Sequence, residues 1–309
     1  SYLQVAPELV KRAPVGRAYV GVGPEQNFTY IALTRPKIAF IVDIRRQNLV
    51  LHLYYRALFE AATSRAHFVA LLLGRPYEAE GDRGAGASVD QVLAHATKRP
   101  PDEATYDTVL AHASRRAGEL VHLDARDRRG LERVARAFFD GQLATRFSLK
   151  EKNGRVYPTI GELLRARDPS GEERGFLATE DAFRFVQQLE RAGRVIPLVG
   201  DFAGDRAVPG VAAYLREHHL RLGVFYVSNV EQYLFEPKVW PSWSRNVAAL
   251  PVDEESLFVR AYLDQGRRHP LQMPGHRTAT VLQRVRDFDA DEAKRRYGSY
   301  WSVATARFD

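Results

Sequence analysis

The sequence predicts an α/β fold with an open, doubly wound and mostly parallel sheet of about seven strands. Two short apolar runs, residues 18–23 and 38–43, have almost no polar side chains. Such runs are typical of parallel strands that helices cover on both faces. A segment of helical length lies between them, and strand, glycine turn, helix and strand make a βαβ unit. The same alternation resumes after residue 179, so both ends of the chain contribute to one sheet.

The individual elements follow from the period of the apolar residues. A further helix begins at the N-cap Thr179 and ends at Gly193. The other predicted helices are residues 24–34, 47–62, 66–73, 89–96, 102–117, 131–139, 208–218 and 291–296. The predicted strands are residues 18–23, 38–43, 195–199, 222–227, 256–263, 278–287 and 300–306.

A change of composition divides the chain into three parts. Residues 1–75 and 176–309 carry the α/β alternation and form the two parts of one core. Residues 76–175 are polar and mostly helical, and we interpret them as an insertion. We expect its glycine-containing stretch at Gly81, Gly84 and Gly86 to be mobile.

Composition excludes several classes of protein. The 309 residues include no cysteine, which rules out a disulfide framework, a zinc–thiolate site and a cysteine nucleophile. The 45 basic and 38 acidic residues give a formal charge of +7, but the arginines are spread along the chain and interleaved with acids. A diffuse excess of this kind is not the footprint of a nucleic-acid-binding protein, so we expect no nucleic-acid partner.

The apolar runs are too short to span a bilayer, and we expect no membrane span. We therefore expect a cytoplasmic protein. The alternative is an exported one, if a signal segment preceded Ser1. The sequence makes no prediction of the oligomeric state.

Polar or glycine residues follow four of the predicted strands. They are Gly21 with Gly23, Asp43, Gly200 with Asp201, and Ser228 with Asn229. Open α/β sheets bind ligands at the carboxyl ends of their strands, so these residues should meet at one edge. This convergence is the strongest functional signal in the sequence.

The first two of these strand ends favour a nucleoside ligand. Glycines let the backbone approach a ligand closely, and the helix that follows offers N–H groups to an anion. Asp43 follows the glycines by about 20 residues, where an acid accepts hydrogen bonds from ribose hydroxyls. The alternative is a tight turn and a solvated acid. Gln26 stands where dinucleotide enzymes have a third glycine, which counts against pyrophosphate binding.

Three further groups of residues are candidates for binding a substrate, called the acceptor below, or for removing its proton. Arg45 or Asn48 would hold a carboxylate or phosphate, or both belong to a solvated helix start. Asn229 with Glu231 would orient an acceptor and remove its proton, although an N-cap also explains Asn229. His276 lies in a turn-rich segment that we interpret as a lid or substrate loop, with His276 as a possible base. No H-E-x-x-H motif or other metal-ligand spacing is present, so we expect no metal site.

Four segments together resemble an uncharacterised bacterial family that is similar to class I S-adenosylmethionine-dependent methyltransferases. They are G-V-G-P-E-Q-N-F-T-Y, I-A-F-I-V-D-I-R-R-Q-N-L, G-D-F and F-Y-V-S-N-V-E-Q-Y-L. The resemblance covers most of the chain outside residues 76–175. It implies a Rossmann-like fold, S-adenosylmethionine as cofactor, and methyl transfer to an unknown small-molecule acceptor.

The resemblance also implies roles for residues at the strand ends. Gly21, Gly23, Gln26 and Asn27 would line the amino-acid end of the cofactor, Asp43 would hold the ribose, and Asp201 the adenine. Ser228 and Asn229 would face the sulfonium, with Glu231 beside them. The alternative is a non-catalytic binding or scaffold protein that uses the same crevice. It is suggested by Tyr19, where an acid often precedes the glycines, and by Pro24, which follows the second glycine.

Overall fold

The computed structural model describes residues 2–146, 157–264 and 266–306. The chain forms two compact units. Unit 1 takes in residues 1–46, 168–170 and 193–309, and unit 2 takes in residues 47–167 and 171–192. Unit 2 thus begins earlier and ends later than the segment 76–175 that composition marks out.

The described residues form six strands and fourteen α-helices, with 3₁₀ turns at Tyr2–Val5, Gly84–Gly86 and Gln142–Ala144. The strands are β1 (Ala18–Gly21), β2 (Ile38–Asp43), β3 (Val195–Val199), β4 (Leu222–Ser228), β5 (Leu257–Leu263) and β6 (Thr278–Arg284). The helices are α1 (Ala6–Arg12), α2 (Gln26–Thr34), α3 (Arg46–Ala61), α4 (Arg65–Leu72), α5 (Val89–Ala96), α6 (Glu103–Leu120), α7 (Ala125–Gly141), α8 (Ile160–Leu164), α9 (Glu180–Arg191), α10 (Ala207–Glu217), α11 (Glu231–Leu234), α12 (Trp240–Ala248), α13 (Val285–Ala293) and α14 (Tyr300–Ala304).

All six strands belong to one sheet in unit 1, in the order β3-β2-β1-β4-β5-β6. The first five strands are parallel, and β6 runs antiparallel to β5. The predicted α/β fold with a mostly parallel sheet is confirmed. The chain leaves β1 toward β2 and β3 on one side and returns to β4 on the other, so the strand order reverses between β1 and β4.

The two faces of the sheet bury different side chains. On one face Val20 and Phe225 pack against α10 and α12 in a core that includes Trp243. The rings of Phe202 and Trp243 stack in this core with centroids 5.5 Å apart. Residues of β1 alternate, so Tyr19 points to the opposite face, where it is also fully buried.

The sheet has six strands rather than about seven in the described residues, because the last predicted strand is wrong. Residues 300–306 carry a helix, α14, which begins with a capping box between Ser299 and Ser302. The predicted strand 278–287 is also too long. Arg284 pairs with Leu257, the first residue of β5, so the partner strand ends there and α13 begins at the next residue.

Unit 2 is helical in its described part. Phe59 of α3 stacks on Phe68 of α4 with ring centroids 4.4 Å apart. The fully buried guanidinium of Arg65 donates to the carbonyls of Gly84, Ala87 and Leu177. These bonds fasten the glycine-containing stretch to α4, and the mobility predicted for that stretch stays a prediction.

Candidate functional site

The carboxyl ends of five strands lie at one edge of the sheet in unit 1. Because β1 to β5 are parallel, the residues after β1, β2, β3 and β4 share this edge. The reversal of strand order places the ends of β1 and β4 side by side. Adjacent strands diverge into their connections at such a point, which leaves a crevice where open α/β sheets bind ligands.

The loop after β1 is held from inside by Asn27, near the start of α2. Its side-chain nitrogen donates to the carbonyls of Val22, Gly23 and Pro24 at 3.0, 3.0 and 2.7 Å. Its side-chain oxygen accepts from the Tyr19 hydroxyl at 2.9 Å. A β-carbon on Gly21 would collide with this oxygen. Gly21 is therefore required by the Tyr19–Asn27 bond rather than by space for a ligand.

Gly23 has the opposite environment. Its φ of +81° lies in the left-handed region, and no heavy atom lies within 4 Å of the position that a β-carbon would take. Gln26, the first residue of α2, is partly buried beside this loop. Gly23 is itself buried, and the unfilled space at the turn after β1 lies beside its Cα, which is the open side of this loop.

Asp43 ends β2 with a carboxylate that is 4% exposed. Arg45, two residues later, binds it on both oxygens. The Arg45 backbone N–H and Nε donate to Oδ1 at 2.9 and 3.1 Å, and Nη2 lies 3.1 Å from Oδ2. The Arg45 side chain is 45% exposed, so the pair has its basic member on the solvent side.

Two apolar side chains flank Asp43 in solvent. Ile44, between Asp43 and Arg45, is 69% exposed, and Val199 at the end of β3 is 43% exposed. Val199 is the register partner of Asp43, so the two strand ends are adjacent. Asp201 follows on the same edge, and its Oδ1 accepts from the Ala203 N–H at 2.9 Å.

The end of β4 has an unusual backbone. Ser228 has a φ of +53°, in the left-handed region that non-glycine residues rarely adopt. The register between β4 and β5 shifts between Tyr226 and Ser228, which marks a β-bulge. Burial raises the pKa of Tyr226, and a hydrogen bond with Ser228 offsets part of that rise. Bulges and strained residues of this kind concentrate at functional sites.

Glu231, the first residue of α11, is fully buried and fully engaged. One carboxylate oxygen accepts from Arg260 Nη2 and Trp243 Nε1, each at 3.1 Å. The other oxygen accepts from Nε of Arg260, whose Nη1 also donates to Gln283. Ser228 is the register partner of Arg260, so this ion pair anchors the turn after β4 to β5.

Two further candidates lie on other segments, His276 on the loop that follows β5 at the same sheet edge and Asn48 on α3. His276 is exposed on the loop between β5 and β6, and its backbone N–H donates to Met273 O at 3.2 Å. Asn48 is buried in the first turn of α3 and belongs to unit 2. The structure therefore groups Gly23, Asp43 and Asp201 with Ser228 and Asn229 at one edge.

Within residues 2–146, 157–264 and 266–306, no helix is both long and apolar enough to cross a membrane. In the same part of the chain, no three His, Cys, Asp or Glu side chains are grouped so as to hold a metal ion.

One family model matches almost the whole chain. It is described as Domain of unknown function (DUF7790), and the match covers residues 2–306. The chain belongs to the DUF7790 family. Among curated proteins, no sequence matches it. The site described above lies within the matched residues.

Sequence reasoning missed two kinds of residue in this DUF7790 chain. Ile44 and Val199 were not among the candidates, although an isoleucine directly after a strand-ending acid is a signal of exposed apolar surface at the strand end. Arg260 was also missed. A single arginine inside the apolar run of β5 is a signal that a buried acid faces it, since buried charges need partners.

Proposed function

We propose that the chain binds S-adenosylmethionine at the carboxyl edge of the unit 1 sheet and transfers its methyl group to a small-molecule acceptor. The observation that carries this proposal is the buried carboxylate of Asp43 between the exposed side chains of Ile44 and Val199. An acid flanked by apolar surface at adjacent strand ends suits a ribose with a flat base attached.

The strand order supports a Rossmann-like assignment. The order 3-2-1-4-5-6 is that of nucleotide-binding doubly wound sheets, and their ligands lie across the point of reversal. The antiparallel β6 departs from the all-parallel form of that fold. It lies at the far edge of the sheet, so the crevice between β1 and β4 is unaffected.

The adenosine part of the cofactor fits the ends of β2 and β3. Asp43 would accept hydrogen bonds from the two ribose hydroxyls, once Arg45 moves outward into solvent. Ile44 and Val199 would cover the faces of the adenine, which buries apolar surface on both sides. Asp201 would accept from the adenine amino group with the carboxylate oxygen that the Ala203 N–H leaves free.

The amino-acid part of the cofactor fits the open side of the loop after β1. Gly23 leaves room for close approach, and Gln26 stands at the start of α2. Asn27 acts on a ligand only through the loop, because its donors are used on three carbonyls. The loop is therefore preorganised, and little conformational entropy is lost when a ligand binds.

The transfer itself needs little more than alignment. When bound, S-adenosylmethionine would supply a sulfonium-bound methyl group, which would pass to a lone pair of the acceptor as the carbon–sulfur bond breaks and S-adenosylhomocysteine leaves, while the acceptor's proton would pass to water. Ser228 and Asn229 would orient the acceptor, and positioning of this kind accounts for large rate gains. Glu231 would serve as a positioning residue, because both of its oxygens are already engaged.

A second candidate function is binding without catalysis. It is favoured by the Asp43–Arg45 pair, which occupies the carboxylate, and by Glu231, which leaves no free base next to Asn229. This candidate function uses the same crevice. It differs in predicting that bound S-adenosylmethionine is not converted to S-adenosylhomocysteine.

Calorimetric titration with S-adenosylmethionine and S-adenosylhomocysteine tests the proposal. We expect dissociation constants of about micromolar order, and weakening by about tenfold or more in Asp43→Ala, since two charge-assisted hydrogen bonds are lost. Asp205→Asn is the control, because Asp205 is an exposed acid on the same edge. Equal affinity in Asp43→Ala, or no binding at about millimolar ligand, overturns the proposal.

A further inference from the structure

The loop between β5 and β6 carries an arginine that stacks on a partly buried tryptophan. The Arg267 guanidinium carbon lies 3.7 Å from the ring centroid of Trp301, on α14. Stacking uses the flat face of the guanidinium and leaves its N–H groups pointing outward in the plane. Tyr262 of β5 packs edge-on against the same indole at 5.2 Å, which fixes the platform to the sheet.

The loop is built around a buried histidine. The Leu271 N–H donates to His269 Nδ1 at 3.1 Å, so Nε2 carries the proton and donates to Ala304 O at 3.0 Å. Burial lowers the pKa of His269, which keeps this ring neutral. His269 thereby ties the loop to the end of α14 and holds Arg267 over Trp301.

The positive charge of this loop is not neutralised locally. Arg267, Arg268 and Arg277 are exposed, and within the described residues none of them forms an ion pair. The one acid of the loop, Asp264, accepts from the Gly266 N–H at 2.9 Å and from Gln272 Nε2 at 3.3 Å. Its carboxylate is thus used to shape the loop.

The loop stands beside the proposed transfer site. Ser228 pairs with Arg260, and β5 continues three residues further to Leu263, so the loop begins about 10 Å beyond Ser228 along the strand direction. Neighbouring strands lie about 5 Å apart. The loop that carries Arg267 therefore lies at the same edge of the sheet as the end of β4.

We propose that Arg267, held flat on Trp301, binds the carboxylate of a planar organic acid. The outward N–H groups of a guanidinium match the two oxygens of a carboxylate, and the indole edge covers the conjugated part of the ligand. The assignment of this acid as the methyl acceptor rests on the proposed function. The anion site itself does not.

Titration with benzoate, followed by tryptophan fluorescence, tests the site without any cofactor. Trp240 and Trp243 are buried, so a change that disappears in Trp301→Phe reports on the platform. We expect saturable binding with a dissociation constant of about millimolar order. It should weaken at least about fivefold in Arg267→Gln and less in Arg267→Lys, which keeps the charge but loses the fork. Benzamide and benzylamine should bind weakly or not at all.

Arg286→Gln is the matched control, because it removes the same charge from an exposed arginine that pairs with Glu254. It should bind benzoate as the unmodified protein does. Equal affinity in Arg267→Gln, or no saturable benzoate signal, overturns the anion site. S-adenosylhomocysteine binding is measured on the same samples and does not depend on benzoate binding. A failure of the proposed function is therefore distinguishable from a failure of the anion site.

Discussion

The side-chain oxygen of Asn27 occupies the space into which a β-carbon on Gly21 would project. The same oxygen accepts from the Tyr19 hydroxyl. The Asn27 amide nitrogen donates to three backbone carbonyls of the loop that joins β1 to α2. One buried amide therefore fixes the conformation of the turn after β1. The shape of the crevice at this turn depends on a glycine and an asparagine that fit each other.

Replacement of Gly21 by alanine should disrupt this fit. The new methyl group would displace Asn27 and break its bonds, at a cost of about 1–3 kcal/mol in the free energy of unfolding. Denaturant unfolding measures it. Gly210→Ala is the control, since Gly210 lies on α10 with open space around it, and alanine there should be neutral or stabilising by up to about 1 kcal/mol. A Gly21→Ala variant as stable as the unmodified protein would contradict the packing described here.

Removal of Arg260 should be among the most damaging single changes in unit 1. Arg260→Met leaves the Glu231 carboxylate buried without its cation, and unpaired buried charges of this kind cost about 3–5 kcal/mol. The free energy of unfolding measures the loss, and the double variant Glu231→Gln with Arg260→Met should recover part of it. Arg286→Gln, which breaks an exposed pair, should cost about 0–1 kcal/mol. Similar losses in Arg260→Met and Arg286→Gln would refute the assignment.

Glu190 of α9 should make unit 2 less stable as the pH rises. Its side chain is buried, its Oε1 has no hydrogen-bond partner, and burial raises its pKa well above the ordinary value, with Arg56 opposing and Glu60 adding to the rise. The folded state therefore keeps a proton that the unfolded chain releases. Stability from this group is fully present below about pH 4.5 and declines above it.

Glu190→Gln cannot ionise and should lose this dependence. The free energy of unfolding of Glu190→Gln, relative to that of the unmodified protein, should therefore increase between about pH 5 and pH 8. Urea titrations at both values measure the difference. The exposed Glu132→Gln is the control and should shift by no more than about 0.5 kcal/mol at either pH. A constant difference between Glu190→Gln and the unmodified protein would mean that Glu190 is not protonated in the folded state.

Arg45 should oppose adenosine binding. It occupies the carboxylate that the ribose would need, so Arg45→Ala should bind S-adenosylhomocysteine as tightly as the unmodified protein or up to about tenfold more tightly. Calorimetry measures the change, with Arg46→Ala as a control at the neighbouring exposed arginine. Weaker binding in Arg45→Ala would instead make Arg45 a direct ligand contact.

The sequence predicts the sheet better than it predicts the site. The bounds of β2 and β3 are those of the apolar runs, because neither strand has a polar residue before its last position. The strand predicted at residues 300–306 was wrong. Aromatic and β-branched residues favour strands in general, but the Ser299 capping box begins a helix here, and no neighbouring strand pairs with this segment in the described residues.

The site depends on contacts that residue types alone do not determine. The pairing of Asp43 with Arg45 follows from a side-chain conformation, and the left-handed backbone at Ser228 follows from a bulge set by β5. Glu231 was expected to be available to an acceptor, whereas its burial is set by Trp243 and Arg260, 12 and 29 residues away in sequence. Such long-range partners are not visible in a local motif.

A crystal structure with S-adenosylhomocysteine tests whether Asp43 holds the ribose. We expect both ribose hydroxyls on the Asp43 carboxylate, Arg45 turned into solvent, and the adenine between Ile44 and Val199. Electron density for the ligand elsewhere, with Arg45 still bound to Asp43 on both oxygens, would contradict it.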